Sequence, residues 1–192
     1  MATRNAMFAG SWYPATAEEC ESEIRRFLEE APPATPGEGT PIGGIAPHAG
    51  WYYSGRLACN VVHMLSRGEG TDAVVVFGMH LPPGAPRYLM AEGAWETPFG
   101  NLAIHEDLAE RLRQRFHFKI ETPSNFSQDN TIELQLPFVR YFFGDVGLLP
   151  IGVPPAEETL SMARELVEMA KSSGLRIKVL GSTDLTHYGS NY

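Results

Sequence analysis

Four short apolar runs punctuate this chain and alternate with amphipathic helical stretches. The runs are Gly43 to Ala46, Asp72 to Phe77, Val146 to Val153 and Arg176 to Leu180. The first three read as short buried strands and the fourth as a further main strand. The helical stretches run from Thr16 to Ala31, Ser54 to Ser66, Asp107 to Phe116, Asn130 to Phe143 and Ala156 to Ser173. This alternation predicts an α/β fold with a mostly parallel central sheet flanked by helices. At 192 residues the chain suits one domain spanning 1–192.

Local signals refine the helices. Thr16 with Glu19 three residues later forms a capping-box pattern at the start of the first. In the second, Leu57, Val61, Val62 and Leu65 form the expected buried face. Pro137 should kink or split the fourth. A strand-like Arg87-Tyr88-Leu89-Met90 sits in the Pro/Gly-rich stretch 82–101.

Three histidines stand just past strand-like runs: His48 in Ile45-Ala46-Pro47-His48-Ala49-Gly50, His80 in Phe77-Gly78-Met79-His80, and His187 in Ser182-Thr183-Asp184-Leu185-Thr186-His187. Ligands gather at the carboxyl ends of parallel strands, so imidazoles delivered to one sheet edge point to a metal or acid/base site. Asp184 near His187 can set its tautomer and raise its basicity. Asp129 and Glu133 lie one helical turn apart and can face the same way, as ligands or as acceptors that orient one. Asn130 and Gln135 could orient a substrate. Trp12, Tyr13, Trp51, Tyr52 and Tyr53 either line a small-molecule pocket or pack an irregular N-terminal segment. His63, His105 and His117 fall outside the three loops and read as packing or surface residues.

A formal charge of −8, with Lys and Arg scattered, argues against nucleic acid and against anionic membranes as partners. The N-terminus lacks a signal-peptide core, and no window approaches the ~18 apolar residues of a membrane span. Cys20 and Cys59 read as reduced thiols of a cytoplasmic protein. No covering helix follows the last strand, so an uncovered sheet face would favour a homo-oligomer.

Ala46-Pro47-His48-Ala49-Gly50-Trp51-Tyr52-Tyr53-Ser54-Gly55, preceded by Ala9-Gly10-Ser11-Trp12-Tyr13, resembles the opening of the MEMO family, labelled AmmeMemoRadiSam system protein B in prokaryotes. Trp95-Glu96-Thr97-Pro98-Phe99-Gly100, Asn130 to Pro137 and Ser182 to Gly189 resemble its later blocks in the same order. The resemblance implies the fold of class III extradiol dioxygenases, which open catechol rings at non-haem iron(II). It implies that His48 and His80 are metal ligands and that His187, with Asp184 beside it, is an acid/base histidine. The implied metal is iron(II), with copper or zinc as alternatives. Glu133, Asn130, Trp51 and Tyr52 are the candidate substrate-binding residues.

The chain departs from the family pattern in three places. The second histidine block is usually Gly-Pro-Ser-His, one residue longer than Gly78-Met79-His80. Histidines commonly stand at the positions of Asn130 and near Gln135. The third metal ligand comes from a C-terminal region that this chain is expected to lack, so Asp184, His187 or Glu133 would have to complete a facial triad. Three readings stay open: a non-haem iron oxygenase or redox enzyme acting on a small aromatic or enolic substrate, a metal-dependent hydrolase, and a non-enzymatic binding protein on a degenerate scaffold.

Overall fold

The computed structural model describes residues 1–30, 39–68 and 70–184. Within them, helix α1 spans Ala17–Glu30. It opens on the expected capping box: the Glu19 N–H donates to Thr16 Oγ1, and that hydroxyl donates to the Glu19 carboxylate. Cys20, Ile24 and Phe27, at i, i+4 and i+7, form its buried stripe.

Strand β1 is Thr3–Arg4, β2 is Gly43–Ala46, β3 is Ala73–Gly78, β4 is Tyr88–Met90, β5 is Ala94–Trp95, β6 is Leu102–Ala103, β7 is Lys119–Glu121, β8 is Gly147–Gly152 and β9 is Ile177–Ser182. The main sheet runs β2-β9-β3-β8-β4-β7, and all its pairings are parallel except β4 with β8. Its centre is the Val74-Val75-Val76 run, fully buried. The fold is therefore α/β with a mostly parallel central sheet flanked by helices, as the apolar runs predict, but β2 is not the buried strand expected: it lies at the sheet edge, with Ile45 67% exposed. The short strands β1, β5 and β6 form a second, small sheet. Two residues each carry too little periodicity to read from sequence.

One helical expectation is corrected, at α2, and the split expected in the stretch 130–143 is found. A π-helical turn, Trp51–Gly55, precedes α2 (Arg56–Leu65), whose buried residues are Ala58, Cys59, Val62 and Leu65. Leu57 is 58% exposed, because the buried stripe at i, i+1, i+4 and i+7 starts one position after it. The stretch 130–143 is two helices, α4 (Asn130–Glu133) and α5 (Leu136–Phe143), with Pro137 in the first turn of α5. A proline there lacks an N–H that would have no intrahelical partner anyway. Helix α3 spans Glu106–Arg113, and α6 spans Glu157–Ser173. Gly174 ends α6 in the left-handed region with its N–H on the last carbonyls. No helix among the described residues is long and apolar enough to cross a membrane.

Candidate functional site

The register of the main sheet brings the first and second histidine loops to one edge. Ala46 at the end of β2 pairs with Ser182 at the end of β9, and β9 lies beside β3, which ends at Gly78. His48 and His80 follow within two residues of their strands. Their Nε2 atoms are 3.1 Å apart, with the rings edge to face.

Backbone crowding aims His80. A Cβ on Gly78 would lie 2.4 Å from Thr131 Oγ1 and 2.8 Å from Ile132 Cγ1, so α4 packs directly on the glycine. Met79 then takes φ 75°, the left-handed region, at a cost of about 1 kcal/mol or more. Its N–H donates to Thr131 Oγ1 at 2.6 Å. That hydroxyl donates in turn to Asp129 Oδ1 at 2.6 Å. Asp129 caps α4 through Oδ1, while Oδ2 accepts both the N–H and the ring Nδ1 of His80, at 3.1 and 3.2 Å. Burial alone would push the Asp129 carboxyl up. The bonds from Thr131 and His80 outweigh burial and hold it below the ordinary carboxylate value.

His48 is held more deeply, at 6% exposure. Its N–H donates to Asp184 Oδ1 at 2.9 Å, and its carbonyl accepts Asn130 Nδ2 at 2.9 Å. Its ring Nδ1 lies 3.2 Å from Ser182 Oγ. Gln135, fully buried, donates from Nε2 to the Pro47 carbonyl and to Ser182 Oγ. Burial lowers the His48 pKa, with Asp184 partly opposing, so the ring is neutral at pH 7.

These bonds determine where the ring protons sit. The Ser182 hydroxyl gives its one hydrogen to the Thr131 carbonyl at 2.6 Å. Toward His48 it can only accept, so neutral His48 carries its proton on Nδ1. An ionised Asp129 likewise fixes the His80 proton on Nδ1. Both Nε2 atoms then present lone pairs to each other at 3.1 Å, and Asp184 Oδ2 lies 3.7 Å from His48 Nε2. Such an arrangement is repulsive unless a proton or a cation sits between the rings. Two nitrogens each ~2.1 Å from one ion lie ~3 Å apart, so the pair has the spacing of adjacent metal ligands. Among the described residues, no group of three His, Cys, Asp or Glu side chains forms a metal cluster. The pair would need a further donor.

Ser182→Ala tests this assignment. In the wild type, ¹⁵N resonances of His48 should show the Nδ1–H tautomer. In the variant His48 loses that preference, and any metal affinity of the pair falls about 10–100-fold.

The other predicted residues have diverse placements. Glu133 is 1% exposed. Its Oε1 accepts the Met7 and Phe8 N–H groups, both at 2.7 Å, and the Tyr13 hydroxyl at 3.1 Å. It thus anchors the N-terminal segment and holds neither histidine. Trp51 is in the core, 3% exposed, stacked 4.1 Å from Phe138 and donating to the Leu134 carbonyl. Tyr52 is 88% exposed. His187 lies outside the described residues. Sequence reasoning misses the contributions of Ser182 and Thr131. The only local signal is the placement of Ser182 at a strand end, beside Thr183-Asp184.

Nearly the whole chain is similar to known proteins. A family model described as Memo-like protein matches residues 4–192. The chain belongs to the Memo-like family. Similar relatives are MEMO1 family proteins of Pyrobaculum arsenaticum, 35% identical over 98% of this chain, and of Desulfurococcus amylolyticus, 31% identical over 98%. A third, from Thermotoga neapolitana, is 31% identical over 96%. The match covers 70% of each of these three relatives. The Memo-like chain carries His48 on the loop with which the family resemblance began, Ala46 to Gly50, and His80 on the shortened block Gly78 to His80, where the chain departs from the family pattern.

Proposed function

We propose that this Memo-like chain is a metal-dependent redox enzyme of the oxygenase type, with the dioxygenase-like architecture that the family resemblance implies, acting on a small aromatic or enolic substrate. The observation that carries the reading is the facing Nε2 pair, 3.1 Å apart, each ring held by a hydrogen bond at its other nitrogen. Locking Nδ1 to an oxygen acceptor is how proteins orient metal-binding histidines. His48 and His80 would hold the metal, iron(II) by the family resemblance, with a further donor from Asp184 or from residues outside those described. Bound there, such an ion would supply Lewis-acid and redox chemistry to a coordinated substrate.

The chain's own groups set the rest. Asp184 and Asn130 grip the His48 backbone from opposite sides, so the deeper ring is rigid. The His80 side chain is 61% exposed, which leaves the pair open to an approaching ligand. Asp184 Oδ2, close to His48 Nε2, is placed to accept a proton from a phenolic or enolic hydroxyl brought to the pair. His187, beyond the described residues, is the second proton carrier in this reading.

The test is metal content by mass spectrometry after anaerobic purification and iron(II) reconstitution. Near-stoichiometric iron in the wild type that disappears in His48→Ala supports the reading and justifies an oxygen-consumption screen with catechols. Absence of bound metal in the wild type, or equal metal in both proteins, overturns it.

A further inference from the structure

The carboxyl edge that carries the histidine pair continues past β3 to β8, and then to the starts of β4 and β7. There the structure forms a cleft of about 480 Å³, within the range of small-molecule sites. Its walls come from three places. The loop after His80 ends in Arg87, the approach to β7 supplies His117, Phe118 and Lys119, and the segment between β8 and α6 supplies Pro154, with Glu158 in the first turn of α6. The His80 loop and the cleft therefore share the segment 81–87, and the Val153 N–H next to Pro154 is bonded to the Gly78 carbonyl.

The charge of this cleft runs against that of the chain. In a protein of net −8 it gathers Arg87 and Lys119 against the single carboxylate of Glu158, with His117 alongside. Lys119 has no ion-pair partner among the described residues, only the face of Tyr88 at 5.2 Å. The Arg87 side chain is 19% exposed, while that of Glu158, whose carboxylate it meets at 3.4 Å, is 76% exposed. A fixed guanidinium is thus engaged by a displaceable surface carboxylate, which stands where a ligand's anionic group would sit. Helix α6 opens there with no side-chain cap on its first N–H groups, and Glu157 and Glu158 stand in its first turn, so the cleft's positive charge rests on Arg87 and Lys119. Phe118 and Pro154 add apolar surface beside the cations.

We infer that this cleft binds a small organic anion: a carboxylate or phosphate group taken by Arg87, on a planar apolar body packed against Phe118. The site does not depend on the histidine pair being metal-bound.

The inference is tested by calorimetric titration of the metal-free protein with benzoate, phenyl phosphate and inorganic phosphate. Comparing the two aromatic anions distinguishes a carboxylate from a phosphate ligand. At least one of them should bind, more tightly than inorganic phosphate and more weakly as salt rises. Arg87→Ala should weaken that binding at least tenfold, the loss of about one charge-assisted bond. Glu158→Gln, which removes the competing carboxylate, should tighten it about two- to fivefold. His48→Ala should leave it unchanged. The inference is overturned if neither aromatic anion binds, if inorganic phosphate binds equally well, or if binding survives Arg87→Ala or is lost in His48→Ala. A gain in Glu158→Gln cannot come from misfolding, so that arm holds even if Arg87→Ala is unstable.

Discussion

Glu133→Ala should destabilise the protein by about 3–5 kcal/mol, a large part of the ~5–15 kcal/mol that holds a domain together. The substitution strands the partly buried Met7 and Phe8 N–H groups and the buried Tyr13 hydroxyl, which share Glu133 Oε1. Each stranded donor costs about 1–3 kcal/mol, less than additively. Chemical denaturation measures the loss. Glu133→Gln keeps an acceptor at the same place and should lose only about 1 kcal/mol.

The same pair of variants yields a pH signature. Burial pushes the Glu133 carboxyl above its ordinary value of 4.5, against the Phe8, Met7 and Tyr13 bonds and the charge of Arg4. A raised folded-state value means that the unfolded chain releases this proton first as pH rises. The stability linked to Glu133 is therefore complete below about 4.5 and is lost as pH climbs through the folded value. Wild type minus Glu133→Gln should fall with pH over that window and then level off. Taking the difference cancels His48, whose lowered value acts in the opposite sense. A difference that stays flat or rises with pH would refute the assignment.

The second large effect is expected at Gly78. A methyl group there meets Thr131 Oγ1 and Ile132 Cγ1, both on β-branched side chains with little freedom to turn away. Overpacking of this kind costs about 1–3 kcal/mol, and this site belongs at the upper end. The effect reaches the histidine pair, because relief requires α4 to withdraw, taking Thr131 from Met79 and Asp129 from His80. Gly78→Ala should lower both melting temperature and metal uptake, whereas an equally destabilising change far from this edge should lower only the first. Unaltered metal uptake in a folded Gly78→Ala protein would show that α4 does not position His80.

Much of this architecture is legible in the amino-acid order alone. The Val74-Val75-Val76 run is apolar because both faces of a parallel strand are covered, and the Thr16–Glu19 cap and the Gly174 stop are local signals of backbone chemistry. His48 and His80 are legible for the same reason: a polar side chain directly after a buried strand must emerge at the sheet edge. Periodicity along one segment, however, says nothing about which segments meet. Asp129 and Glu133 look alike on a helical wheel, yet Asp129 holds His80 while Glu133 anchors Met7 and Phe8, more than 120 residues away in sequence. Trp51 and Tyr52 are neighbours in the chain, and one is core while the other is almost wholly exposed. The sheet order that pairs Ala46 with Ser182 also sets Ser182 beside His48, 134 positions away in the chain. Local sterics and burial pattern were enough to specify the longer elements and the histidines at their ends. The facing lone pairs, the tautomers behind them and the cationic cleft arise from long-range pairing, whose partners are chosen by the packing of the whole sheet.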